Sequence, residues 1–219
     1  MKNTSIALLV SLLVAPSLAA ARTPHQRVSA ATEVLESLLQ GADRPPSHLL
    51  DATTCLLVVP RLIKGALGFG GRRGKGVIAC RSQGGGWNPP AFVKISGASF
   101  GFQIGGQSTE LVLLIVNERS VRSLLKSKFT IGVDASLAAG PRSYQALAST
   151  DIRLDAEIYS YATSKGLFVG AAVEGARVAL DRKSIAAFYD SYLRPEDILF
   201  GRTDVTVPPE GRSFVATLP

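Results

Sequence analysis

Three short motifs in this sequence have the residue types and spacing for chemistry. Gly97-Ala-Ser99-Phe-Gly101 has the G-x-S-x-G pattern of a nucleophile elbow. That motif needs a sharp strand-to-helix turn beneath the serine and, in chain order, a later histidine to take its proton. Ser99 instead sits in a strand-like run, and no histidine follows His48. The segment Lys64–Gly76 reads like a phosphate loop. Its Gly74-Lys75 pair, however, has Phe69 where a Walker A motif requires glycine and Gly76 where it requires Ser or Thr. Gly74-Lys-Gly76-Val-Ile-Ala79 fits G-x-G-x-x-A formally but runs into a strand rather than opening a helix. Asp155 and Glu157 share a strand face with Arg153, the pattern of a solvated sheet surface. Asp134 and Glu174 fall in strand-like runs that suit burial and pairing, with nothing marking an acid–base couple. His25 and His48 both lie near the N-terminus, and no metal-ligand spacing occurs. The sequence therefore predicts no catalytic residue, no metal and no cofactor.

Positive charge remains as the chemical resource. The 219 residues carry a formal net charge of +7, and its location is uneven. The 58 residues between Asp51 and Glu110 contain no carboxylate and seven cations: Arg61, Lys64, Arg72, Arg73, Lys75, Arg81 and Lys94. Five of them fall within Arg61–Lys75, a glycine-rich stretch interleaved with Leu62, Ile63, Leu67 and Phe69. Read as a glycine-rich loop, it offers backbone N–H groups and Arg forks to phosphate oxygens. A second cluster, Arg119, Arg122 and Lys126, recurs at i, i+3, i+7 on one helix face, with Lys128 just beyond. Both clusters suit an anionic surface, where each cation contributes about 1 kcal/mol. The plainer alternative is a solvated basic face that aids solubility. Few aromatics lie near these cations, which argues against nucleic acid.

The elements that must position these residues follow from periodicity. Met1–Ala21 has one cation, Lys2, a short apolar run and small-x-small sites ending at Ala19 and Ala21, which predicts a secretory signal peptide. The alternative is an uncleaved N-terminal anchor. Without Met1–Ala21 the chain has 23 cations against 17 anions, so the cationic segment holds the whole excess. Export gives Cys55 and Cys80 an oxidising compartment, which predicts one disulfide; the alternative is two buried thiols. Val28, Ala31, Leu35, Leu38 and Leu39 predict an amphipathic helix stopped by Gly41, and Pro45-Pro46-Ser47 opens a shorter one. From Cys55 to Val116 the period becomes two, predicting successive strands at Ala91–Ile95, Ser99–Ile104 and Leu111–Val116. Gly97, Gly101, Gly105 and Gly106, inside or beside these strands, suggest bulges, sharp curvature or close backbone approach. Asn117 opens a helix to Lys126, and strands resume at Phe129–Ala138. A hairpin spans Ile152–Val173 about the Ser164–Gly166 turn, and Asp181 caps a last helix that Pro195 stops. Together these predict one α+β domain over residues 22–219, a curved, mostly antiparallel, barrel-like sheet covered by several helices.

Nine blocks then occur in order: Phe69–Gly76, Gly86–Ala91, Gly101–Gly105, Phe129–Asp134, Ala138–Pro141, Tyr159–Tyr161, Ser164–Phe168, Val173–Gly175 and Phe188-Tyr189. In this order the chain resembles the SYLF lipid-binding domain family over about residues 28–201. The resemblance implies a non-catalytic domain that binds anionic lipid, phosphoinositides in eukaryotic members, some of which also bind actin filaments. It assigns lipid contact to Lys64, Arg72, Arg73 and Lys75 and to the Val28–Leu39 helix. The export signal and the cysteine pair depart from the general pattern and imply an exported branch, in the periplasm or outside the cell, peripheral at a membrane. The expectation is anionic phospholipid bound through Arg61, Lys64, Arg72, Arg73, Lys75, Arg119, Arg122 and Lys126. An envelope module with a protein partner is the alternative, and a Ser99 hydrolase stands third.

Overall fold

The computed structural model describes residues 21–125, 129–140, 156–162 and 173–219. All but the last residue of the expected signal peptide Met1–Ala21, the expected helix end at Lys126 and most of the expected Ile152–Val173 hairpin lie outside them. Among the described residues the order is α1 (Pro24–Gln40), α2 (Ser47–Asp51), β1 (Cys55–Cys80), β2 (Ala91–Ile115), α3 (Glu118–Leu125), β3 (Phe129–Thr130), β4 (Leu137–Ala139), β5 (Ile158–Ala162), β6 (Arg177–Leu180), α4 (Arg182–Tyr189), α5 (Pro195–Leu199) and α6 (Pro209–Thr217). The strands form one curled mixed sheet, and the α+β expectation holds. β2 is its spine: it pairs antiparallel with β1 along nearly its whole length, and along its other edge with β6 and β5. β3 pairs antiparallel with β6, and β4 runs parallel to β5.

The dominant event is that β1 folds back on itself. Straight, 26 residues would span roughly 80 Å at about 3.3 Å per residue. Cys55 and Cys80, at its two ends, are instead 4.0 Å apart at Cα and joined by a disulfide. Two irregularities in the β1–β2 register accompany the bend. One lies between Val59 and Leu62, at Pro60, which has no N–H to give to a ladder. The other lies between Ala66 and Gly68, opposite Gly101–Gly105, where curvature was expected. Past the bend the two limbs of β1 touch. A side chain at Gly74 would come within 2.7 Å of Val59 and 3.0 Å of Leu62, and one at Gly76 would collide with the Val58 carbonyl. The glycines are there so that one limb can lie against the other.

Two expectations change here. The glycine-rich basic segment is strand rather than loop, because β2 satisfies its backbone groups through the ladder. The three runs between Ala91 and Val116 are one continuous strand, and their glycines bend it without interrupting it. Ser99 pairs with Gly70 inside that strand, so no strand-to-helix turn lies beneath it. Asp134 and Glu174 are exposed turn residues rather than buried strand acids. Asp181 does cap a helix, but that helix ends at Asp190 in the left-handed conformation, and α5 and α6 follow.

The core lies inside the curl. Cys55–Val59 and Leu111–Ile115 are buried on both faces, which is why they read as unbroken apolar runs. α1 closes it with Val28, Ala31, Val34, Leu35 and Leu38, and packs on β1, α4 and α6. Thr23 and Gln26 form a capping box at its start. The apolar side of the amphipathic helix is therefore occupied by the protein's own core. Arg81 is structural as well: it stacks on Trp87 at 4.6 Å and donates to the carbonyls of Leu50, Thr53 and Pro219.

Two stability outcomes follow from the fold. Replacing both cysteines by serine should cost roughly 3–4 kcal/mol in chemical denaturation, the chain-entropy value for a 25-residue separation. Gly76→Val should cost about 2 kcal/mol or more, because main chain cannot move aside as a side chain can. Unchanged midpoints would contradict the self-packed strand.

Candidate functional site: a cationic sheet face

Strand register decides which basic residues meet. Arg73 of β1 lies opposite Ser96 of β2, Ser96 opposite Arg177 of β6, and Arg177 opposite Thr130 of β3. Directly paired residues project to the same side, so these four form a row across the sheet. Two residues along, Lys75 lies opposite Lys94, and Lys94 opposite Ala179. Arg73, Lys75, Lys94, Ser96 and Arg177 are all exposed. Neighbouring strands are about 4.8 Å apart and alternate residues about 6.6 Å apart, so four cations occupy a patch of roughly 10 Å by 7 Å. The opposite side of the same strands carries Val93, Ile95, Val178 and Phe129, all buried. Strict alternation thus turns charge outward and apolar groups inward.

The face has defined borders. One row beyond Lys75 and Lys94, the residues on this side are Val77 and Phe92, both fully buried. α1 and α4 cover them: the Arg27 guanidinium lies 5.4 Å from the Phe92 ring centroid, and the Phe188 ring packs edge-on at 5.1 Å. At the β3 edge, the Asp134 carboxylate accepts the Thr130 N–H at 2.6 Å.

Beside Lys94, at the covered border, sits a buried charge cluster. Lys94 Nζ is 3.0 Å from Asp181 Oδ1, and Arg27 Nη1 is 3.7 Å from Oδ2. The Ser184 hydroxyl donates to Asp181 at 2.8 Å and accepts from Arg27 at 3.1 Å. The Ser184 N–H also reaches Asp181, which makes the carboxylate the N-cap of α4. Burial pushes the Asp181 carboxyl up, but the Ser184 and Lys94 hydrogen bonds and the Lys94 charge outweigh it and hold it below its ordinary value. Burial lowers the Arg27 guanidinium, with the Asp181 charge opposing.

The residues expected from sequence separate into groups. Arg73 and Lys75 are on the face. Arg72 projects to the other side, donates to the Ala98 carbonyl at 3.0 Å, and is lowered by burial against the pull of Glu174. Arg61 lies on the other limb of β1, its carbonyl packed beneath the inner side of Gly74. Lys64 is half-buried at a register position opposite Gln107. α3 packs on β2, β3 and β6, burying Val121 and Leu124 and leaving Arg119 and Arg122 exposed; Arg122 pairs with Glu118 at 3.0 Å. Lys126 lies outside the described residues. Lys94 and Arg177 complete the face and were missed as site residues. The signal was present in the alternation of Lys94 and Ser96 with Val93 and Ile95, and of Arg177 with Val178.

Because the folded Asp181 value is depressed, its stability contribution is present at neutral pH. It should be lost as pH falls through the ordinary aspartate value of about 3.9 and below. Melting curves of wild type and Asp181→Asn should accordingly be far apart at pH 7 and converge toward pH 3. A gap that does not narrow would contradict the ion-pair account.

A family model described as "Ysc84: Las17-binding protein actin regulator" matches residues 96–219. Protein YSC84 of Saccharomyces cerevisiae is 34% identical over 197 residues, covering 86% of this chain and 42% of that protein. LAS seventeen-binding protein 3 of the same species is 31% identical, covering 83% of this chain and 41% of the relative. SH3 domain-containing YSC84-like protein 1 of Xenopus laevis is 31% identical, covering 79% and 51%. The chain thus spans about half or less of the length of these relatives. The aligned share takes in most of this chain, and the family model includes Ser96 and Arg177, two of the positions that pair across the cationic face. The chain belongs to the Ysc84 family, the SYLF-type domains that its ordered sequence blocks resemble.

Proposed function

We propose that this chain is an exported, non-catalytic member of the family that binds anionic phospholipid through the sheet face of Arg73, Lys75, Lys94 and Arg177. The observation that carries the reading is the convergence of four exposed cations from three strands on one face, with Ser96 between Arg73 and Arg177 and Thr130 at the end of their row. Hydroxyls and Arg forks are donors to phosphate oxygen, and four cations near an anionic membrane contribute about 4 kcal/mol, enough for reversible attachment. Electrostatics dominates, because the apolar side of α1 is spent in the core. The apolar leader Met1–Ala21 and the Cys55–Cys80 disulfide support export.

The description of the family as a Las17-binding actin regulator supports a second reading, in which the same face docks an acidic protein surface. The two readings differ in whether lipid alone suffices.

Co-sedimentation with vesicles of phosphatidylcholine, alone and mixed with phosphatidylglycerol, decides between them. Binding should require the anionic lipid and weaken with salt. Arg73→Gln/Arg177→Gln should weaken it about 30-fold, the equivalent of about 2 kcal/mol. Arg119→Gln/Arg122→Gln, which removes the same charge from α3, should do less. Equal binding to both vesicle types, or equal loss in the two double variants, would overturn the assignment of the face.

A further inference from the structure

Asp181 joins the cationic face to the N-terminal helix, and from this, given the anion-binding reading above, we infer that anion on the face tightens the docking of α1. The buried carboxylate has a cation on each side, Lys94 reaching in from the face and Arg27 from α1. Its side chain is 2% exposed and that of Arg27 is 5%, whereas Lys94 is 46% exposed and can turn outward. The two cations therefore share one counter-ion. When α1 lifts away, Asp181 loses Arg27 but keeps Lys94, so a paired partner moderates the cost of opening. A phosphate group on the face offers Lys94 a second counter-ion and draws it away. Asp181 is then left with Arg27 alone, and lifting α1 would leave a carboxylate with no cation beside a bound anion, which costs more than opening with Lys94 still in place. Face occupancy thus makes α1 harder to release. By linkage, whatever fixes α1 also raises the affinity of the face.

The polar contacts at the start of α1 leave this relation intact. His25 Nδ1 lies 3.2 Å from Glu210 Oε2 on α6, and the His25 ring packs on Phe188 at 4.9 Å. Both hold the start of the helix and neither involves Lys94. The regulated quantity is the opening of α1 against an otherwise folded sheet, a sub-global event that amide exchange reads directly.

Hydrogen exchange on the full chain tests the inference, with α1 amides normalised to those of β2. Lys94→Gln removes the competing cation permanently, so α1 should exchange about fivefold more slowly than in wild type with no anion present, a coupling usual for residues sharing one ion-pair network. Vesicles of phosphatidylcholine and phosphatidylglycerol should slow α1 similarly in wild type, add little in Lys94→Gln, and have no effect on α1 in Arg27→Gln. Equal or faster α1 exchange in Lys94→Gln would overturn the antagonism between Lys94 and Arg27. So would a vesicle effect on α1 that persists in Arg27→Gln. If Lys94→Gln slows α1 while wild type ignores the vesicles, the antagonism stands and the anion reading of the face falls.

Discussion

Everything in this molecule depends on one strand being able to lie against itself. β1 leaves Cys55, bends through its glycine-rich middle and returns until Cys80 is bonded to its own beginning. The closure needs short side chains on the inner side of the returning limb, where Gly74 and Gly76 admit Val58, Val59 and Leu62. Period-two alternation then dictates the outer side. With positions 74 and 76 turned in, Arg73 and Lys75 must turn out. The constraint that builds the core is also what sets two cations side by side on the surface.

β2 transmits that arrangement across the sheet. Because it pairs with β1 on one edge and β6 on the other, Ser96 and Lys94 carry the register of Arg73 and Lys75 over to Arg177 and Ala179. Placing Lys75 directly opposite Lys94 is unfavourable in isolation. Asp181 relieves it, and the same carboxylate caps α4 and holds Arg27 of α1. A single buried acid thus reconciles a like-charge sheet face, a helix start and the docking of the helix that closes the core. Burial of that acid is tolerable because each oxygen has a donor.

Local patterns were legible in the sequence and non-local ones were not. The helical spacing of Val28–Leu39, the Asp181 cap, the cysteine pair and the α+β class were all readable, because each follows from neighbours in the chain or from composition. The glycine-rich segment reads as a loop in sequence and is strand in the fold. Glycine clusters usually punctuate chains, and nothing local distinguishes a glycine that makes a turn from one that admits an opposing strand. Asp134 and Glu174 differ for a related reason, since apolar residues close by (Val133 and Ala135, Val173) suggest a strand even when a turn interrupts it. Within the cation list, proximity in sequence brought in Arg61, Lys64 and Arg72, which the fold sends to other limbs or faces. It left out Arg177, which lies 104 positions from Arg73 in sequence and two strands away in space. Only the pairing register joins them, and register is a property of the whole sheet.

The central claim is that this outer sheet face is the surface that meets anionic membrane. An environment-sensitive fluorophore on Ser96→Cys reports on the middle of the face, and one on Ser213→Cys reports on α6; both native cysteines are held in the disulfide. With phosphatidylglycerol-containing vesicles, the label at position 96 should shift to shorter wavelength and brighten, while that at position 213 stays as in buffer. A shift at 213 without one at 96, or equal shifts at both, would contradict the account.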